Sequence, residues 1–394
     1  MLRIRGAMAL IVALTFAACG GGATPSPKPA TPPPATASAV APTATPVAAT
    51  ATPVAATPVP STPAVSPSAS AAAYKACMVS DTGGIDDKSF NQNAWKGMED
   101  VSAKLGVEVK FLESTAATDY EKNINQFLSE GCDMIVTVGF LLGDATKAAA
   151  TANPDTRFAI VDFAYDPALP NVEGLVYNTA EAAMLAGYAS ASWSKTGVMG
   201  TYGGIDIGGP VTDFMSGFVA GANYYNNQKS KSVKVLGWDP VTKKGSFTGN
   251  FDSTDDAKQL TIGFLDENAD VILGVGGSIA IGSFAAIEER NADAVGLGVD
   301  VDWTETVPQY KQLMLTSILK KIDVSVADAV ERGVMGTPAA PVFVSTLANG
   351  GVDLGPFHDY NDQITAETKT EIADLKAAII DGTVKPSDFF APVP

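Results

Sequence analysis

The chain has 394 residues, a length that allows two or three domains. Its 43 acidic side chains all follow residue 73, whereas Arg3, Arg5 and Lys28 of its 26 basic ones precede it, so the later part carries a net charge of about −20. Nucleic acids and anionic lipid surfaces are bound by clustered Lys and Arg, so that acidity argues against either as a partner.

The N-terminus carries Arg3 and Arg5, then an apolar run from Ala7 to Ala18. A basic start and a short apolar stretch make a secretory signal, too short for a stable membrane-spanning helix. Ala17 and Ala18 stand before Cys19 and Gly20 follows, which resembles the lipobox of bacterial lipoproteins, with Phe16 where Leu is usual. Residues 1–19 therefore read as a signal peptide, with Cys19 as the lipidated first residue of the mature chain. The alternative is an ordinary secreted protein with an incidental cysteine. Residues 20–73 hold 13 of the 25 prolines, and the unit Ala44–Thr50 recurs unchanged as Ala51–Thr57. Such a composition excludes regular helix or sheet and favours an extended, disordered tether. Its upper reach is roughly 170 Å at about 3.1 Å per residue.

From residue 74 short apolar runs alternate with amphipathic stretches. Strands are expected at Lys75–Val79, Val107–Leu112, Met134–Val138, Phe158–Val161 and Gly174–Val176, with helices at Tyr120–Ser129 and Gly143–Ala152. A second set has strands at Val198–Thr201, Val233–Gly237, Val271–Gly274 and Val295–Val299, and helices at Val211–Tyr225, Thr254–Glu267 and Ile279–Arg290. This alternation is the signature of βαβ units and parallel sheets. A first lobe is expected over 74–195 and a second over 196–311. Residues 312–394 are expected to cross back and complete the first lobe, with a strand at Leu313–Ile318, a helix at Leu319–Arg332, a hairpin-like stretch at Val342–Val352 and a helix at Ala366–Ile380. The fold class is thus α/β: a two-lobed, periplasmic-binding-protein-like fold, each lobe a doubly wound parallel-sheet sandwich. Hinge closure is the usual motion of that form. Cys77 and Cys132 each begin an expected strand, and are either one disulfide in an oxidising compartment or two buried thiols.

The run Asp81-Thr82-Gly83-Gly84-Ile85-Asp86-Asp87-Lys88-Ser89-Phe90-Asn91 joins the first strand to the first helix, where open α/β sheets bind ligands. Its acceptors and donors, with the flat face of Phe90, suit a small polar molecule that carries an aromatic ring. Asp86 and Asp87 read as helix-capping residues. Val161-Asp162-Phe163 and Val299-Asp300-Val301 end strands in the same way, and Lys320 follows the next apolar run. Asp300 and Lys320 are candidates to share a sugar-like diol. Gly274-Val275-Gly276-Gly277-Ser278-Ile279 falls one glycine short of a dinucleotide turn and reads as a glycine-lined ligand wall. Neither a Gly-x-Ser-x-Gly elbow nor a phosphate loop occurs, and His358 is the sole histidine. The reading is a binding protein rather than an enzyme, with no cofactor and no metal.

Asp81 to Asn91 with Trp95 and Gly97, Gly131 to Ile135, Pro210 to Gly221, Gly296 to Asp302 and Thr316 to Lys320 together resemble the basic membrane protein family of bacterial lipoproteins. That family comprises substrate-binding subunits of ABC transporters for purine nucleosides, and the resemblance covers roughly residues 74 to 390. It implies a nucleoside of the adenosine, guanosine or inosine type held between the lobes of a monomer and passed to an ABC permease. Phe90 would stack on the base, Asn91 and Asp162 would read its edge, and Asp81 would support that side. Asp300 and Lys320 would hold ribose hydroxyls, with Gly276 and Gly277 allowing close approach. A second aromatic wall is implied, from among Phe247, Phe251 and Trp303. The membrane would be reached only through the lipid anchor, on its extracytoplasmic face. The alternatives are a receptor for a sugar or other small metabolite, or a ligand-sensing signalling lipoprotein.

Overall fold

Runs such as Met134–Val138 are apolar on both faces, and each of their five residues is buried, as a strand covered by helices on both sides requires. The computed structural model describes residues 74–392. In chain order it has β1 (Lys75–Ser80), α1 (Phe90–Leu105), β2 (Glu108–Leu112), α2 (Asp119–Ser129), β3 (Met134–Val138), α3 (Gly143–Ala152), β4 (Arg157–Val161) and β5 (Val172–Tyr177). There follow α4 (Thr179–Trp193), β6 (Val198–Gly203), α5 (Gly209–Lys229), β7 (Lys234–Leu236), the small hairpin β8 (Trp238–Asp239) and β9 (Lys244–Gly245), α6 (Thr254–Asp266), β10 (Val271–Val275), α7 (Ile281–Arg290) and β11 (Val295–Asp300). The remainder is α8 (Trp303–Thr306), β12 (Met314–Lys320), α9 (Ile322–Val334), β13 (Val342–Ser345), β14 (Val352–Leu354) and α10 (Ala366–Ile380).

Two six-stranded sheets result, in the orders β13-β5-β4-β3-β1-β2 and β14-β12-β11-β10-β6-β7. Every pairing in them is parallel except β12 with β14. The expected α/β fold with two parallel-sheet lobes is therefore present.

The lobe boundaries differ from expectation. The chain crosses to the second lobe at Asn178, not at residue 195, because α4 packs along α5 and against β12, β14 and α10. That contact is close: a side chain at Gly187 or Gly221 would collide with the backbone of Phe218 or Met184. Covered on several sides, α4 is apolar nearly all round, so its pattern carries no sign of which lobe it joins. Residues 312–394 do not simply complete the first lobe. β12 extends the second sheet and its strand runs on through Lys320, so the expected helix starts only at Ile322. α9 then packs on α1 in the first lobe, and β13 joins β5. The stretch 342–352 is no hairpin: β13 pairs in the first sheet and β14 in the second.

Three segments thus cross between the lobes, at Asn178, at Lys321 and between Ser345 and Val352, and they are bonded to one another. Asn178 N donates to Ser345 O at 2.8 Å, and Lys321 N to Gly351 O at 2.9 Å. The Leu347 amide donates to Glu181 Oε2 at 2.8 Å.

In the first lobe Glu173 is fully buried between the guanidinium groups of Arg157, at 3.1 Å, and Arg332. The pair from β4 and α9 compensates a carboxylate that burial would otherwise penalise heavily. Cys77 and Cys132 form a disulfide, with Cα atoms 6.1 Å apart. It resolves the two readings open from sequence in favour of a bond. Closing a loop of 55 residues stabilises the folded state by about 4 kcal/mol in the chain-entropy account. The double variant Cys77→Ala/Cys132→Ala is expected to lose stability of that order in urea unfolding; an unchanged midpoint would show that the bridge contributes nothing.

Candidate functional site

In open α/β sheets ligands meet the carboxyl ends of strands. Here both sheets turn those ends toward one cleft, whose cavity has a volume of about 60 Å³. Asp81, Phe90, Asn91 and Asp162 line it from the first lobe, and Gly276, Gly277, Asp300 and Lys320 from the second. All eight candidate residues therefore lie around the same cavity.

The loop after β1 is held by its own carboxylates. Asp87 accepts backbone N–H groups from Ser89 (3.0 Å), Asn91 (2.8 Å) and Gln92 (3.1 Å), capping α1 as expected. Asp87 also lines the cavity, which the capping assignment alone did not foresee. Gly277 faces it with φ +61°, a turn that favours glycine, and Asp87 Oδ2 lies 3.4 Å from where a Cβ there would stand, an ordinary contact distance. The Asn91 side-chain amide donates to Asp81 Oδ1 at 2.7 Å. This fixes the orientation of the amide and leaves Asn91 Oδ1 buried with no protein partner.

Side-chain bonds join the lobes beside the cleft, among them Asn93 Nδ2 to Lys320 O at 2.9 Å. Lys320 Nζ, on a side chain 2% exposed, donates to Asp162 Oδ2 at 2.6 Å. Ser89 Oγ donates toward Asp300 Oδ2 at 2.8 Å and lies 2.9 Å from Val299 O. Lys320 Nζ also sits 4.8 Å from the ring centres of Phe90 and Tyr177 and 5.8 Å from that of Phe214. The sequence placed Lys320 near Asp300 as candidates to share a diol; Lys320 is near enough to act on the Asp300 carboxyl, while its hydrogen-bonded partner is Asp162.

Burial pushes the Asp81, Asp162 and Asp300 carboxyls up from their usual values. Bonds from Asn91 and Gly83 pull Asp81 back, and the Lys320 ammonium pulls Asp162 and Asp300 back. Asp87 is pushed up to about 7 by burial, against the three backbone donors that favour its charged form.

The aromatic candidates separate clearly. Phe251 lines the cavity. Trp303 is fully buried behind β11, its indole donating to Val299 O at 2.8 Å, and Phe247 packs edge-on against Trp238. Sequence reasoning missed Phe140 and Leu141, which follow the end of β3, and Phe214 on α5. The strand-end rule that found Asp162 reaches the first two. Phe214 has no such signal, since a helical aromatic on a buried face reads as core.

A family model described as Bmp, ABC transporter substrate-binding protein PnrA-like, matches residues 74–387. The chain belongs to the Bmp family, and is an ABC transporter substrate-binding protein. Among its relatives, the ABC transporter nucleoside-binding protein BmpA of Lactococcus lactis subsp. cremoris is 32% identical over 79% of this chain and 88% of that protein. Basic membrane protein A of Borreliella burgdorferi is 30% identical, covering 63% of this chain and 68% of its own. An uncharacterized lipoprotein of Pyrococcus abyssi is 30% identical over 72% of this chain and 69% of its own. Of solved structures, an ABC transporter solute-binding protein of Aeropyrum pernix superposes with TM-score 0.72 at 25% identity, over 79% of this chain and 92% of that one. Among the described residues of this Bmp-family chain no helix is long and apolar enough to cross a membrane. Cys19 and the rest of the expected signal and tether lie outside the described residues.

The Asp87 value has a measurable consequence. Between about pH 4 and 7 the folded state holds a proton that the unfolded chain has released, so this group's contribution to stability falls as pH rises through that window and is constant above it. A carboxyl resonance of Asp87 titrating with a midpoint near 7 in the folded protein is expected. A midpoint near 4 would show that the three backbone donors outweigh burial.

Proposed function

We propose that this Bmp-family protein is a lipid-anchored, extracytoplasmic receptor that captures a purine nucleoside between its lobes and delivers it to an ABC permease. The observation that carries the reading is the composition of the cleft: aromatic faces, an orphan amide oxygen and a carboxylate–ammonium cluster, supplied by both lobes. The name of the Lactococcus lactis relative, a nucleoside-binding protein, supports the ligand class. The base stacks on the face of Phe90 that Lys320 leaves open, with Phe251 as the second wall. Base–aromatic stacking is worth about 1–3 kcal/mol. Asn91 Oδ1 accepts an N–H of the base edge, and Asp81, by holding the amide, fixes that choice. Asp300, Lys320 and Asp162 take the ribose hydroxyls; a lysine carries three donors, and Asp162 uses one. Gly276 and Gly277 keep that wall free of side chains.

Micromolar affinity corresponds to about −8 kcal/mol, within reach of one stacked base and several charge-assisted bonds after ordering costs. Calorimetry of the chain from residue 74 with adenosine, guanosine and inosine is expected to give such binding, and Phe90→Ala to weaken it tenfold or more. Absence of heat with all three nucleosides would refute the ligand class, and an unaffected Phe90→Ala would remove Phe90 from the site. The presence of lipoproteins among the relatives supports the anchor at Cys19. Cys19→Ser is expected to move the protein from the membrane fraction to the soluble one. Persistence in the membrane fraction, with no lipid on Cys19 by mass spectrometry, would overturn that assignment.

A further inference from the structure

Lys320 is surrounded by three rings, and they are not equivalent. Phe90 and Phe214 line the cavity, whereas Tyr177 does not. Tyr177 is the last residue of β5, one position before the first crossing between the lobes, and is buried. Its ring centre lies 4.8 Å from Lys320 Nζ, and Lys320 is itself the last residue of β12, one position before the second crossing. The Tyr177 hydroxyl reaches Ser325 Oγ on α9 at 2.5 Å. Ser325 Oγ donates onward to Ile322 O at 3.1 Å, so the tyrosine is the donor of the pair. The ring is therefore held at one end by the backbone of β5 and at the other by α9, and presents its face to a buried ammonium from behind the ligand space.

An ammonium on a flexible four-carbon stem has no fixed direction of its own. Asp162 provides one directional bond. A ring face adds attraction wherever the cation is centred over it, and this attraction is strongest where water is excluded. We propose that Tyr177 is a positioning residue that holds Lys320 at the ribose end of the cleft and so sets the preference for nucleosides over free bases. The inference rests on the nucleoside reading above. It assigns discrimination between ligands to a side chain that touches none of them. It also links that discrimination to the crossings, since Tyr177 and Ser325 flank two of them.

The test is calorimetry with inosine and with hypoxanthine on the wild-type protein, Tyr177→Leu, Tyr177→Phe, Lys320→Met and the Tyr177→Leu/Lys320→Met double variant. Tyr177→Leu is expected to weaken inosine about tenfold and leave hypoxanthine within about twofold. Tyr177→Phe keeps the ring and should restore the preference, and the double variant should bind inosine no worse than Lys320→Met alone. Equal weakening of both ligands by Tyr177→Leu, failure of Tyr177→Phe to rescue, or additive losses in the double variant would each overturn the role. Should Tyr177→Leu fail to fold, Tyr177→Met, whose unbranched chain adapts to an irregular space, carries the same expectations. A wild-type protein that binds neither inosine nor any other nucleoside would overturn the nucleoside reading and this inference together. Binding with an unmoved ratio overturns this inference alone.

Discussion

A buried ammonium must be paired, and Lys320, 1% exposed, takes its hydrogen-bonded carboxylate from the opposite lobe. Its carboxylate partner Asp162 ends β4 of the first sheet, while Lys320 ends β12 of the second. Much of the site follows from that requirement. With that bond in place Ser89 reaches Asp300, and the loop after β1 lies against the glycines after β10. The balance of charge also follows. Four carboxylates, Asp81, Asp87, Asp162 and Asp300, line a space that contains one lysine. Their raised proton affinities report how little solvent screens them. Such a cavity suits a neutral molecule rich in hydroxyl and N–H donors, and repels an anion.

The two lobes build the cleft with the same local device. In each sheet two neighbouring strands end in a residue of positive φ. These are Gly139 and Asp162 after β3 and β4, and Gly276 and Asp300 at the ends of β10 and β11. For aspartate that conformation costs energy, and it persists only where its surroundings hold it. Here a bond from the other lobe holds each aspartate, Lys320 on Asp162 and Ser89 on Asp300. Local backbone strain and the meeting of the lobes are thus parts of one arrangement.

Much of this was legible in the residues, and the limits have physical causes. Met134–Val138, Gly143–Ala152 and Ala366–Ile380 have the same bounds in pattern and in structure, because apolar period and flanking breakers are local properties. Partnership between strands is not local. Val342–Ser345 and Val352–Leu354 have the look of a hairpin, yet each pairs with a strand far away in sequence. The same holds for α4, whose apolar surface suits either lobe. In the site, the strand-end rule found the charged residues, since a carboxylate after an apolar run is conspicuous. It could not say that Lys320 would choose Asp162 over Asp300, a choice made by the approach of two sheets. Nor could it separate Phe214, on a buried helix face, from the core.

The order of pairing along the chain bears on how the molecule can be made. The outer edge of β5 stays open until Val342–Ser345 has been synthesised, and that of β11 until Met314–Lys320 has. Neither lobe is therefore complete before the last quarter of the chain emerges, and each finishes with strands that follow both central sheets in sequence. Apolar sheet edges exposed in the meantime are prone to wrong association. The interleaved topology thus makes completion of the two lobes a joint, late event rather than growth of one lobe after the other.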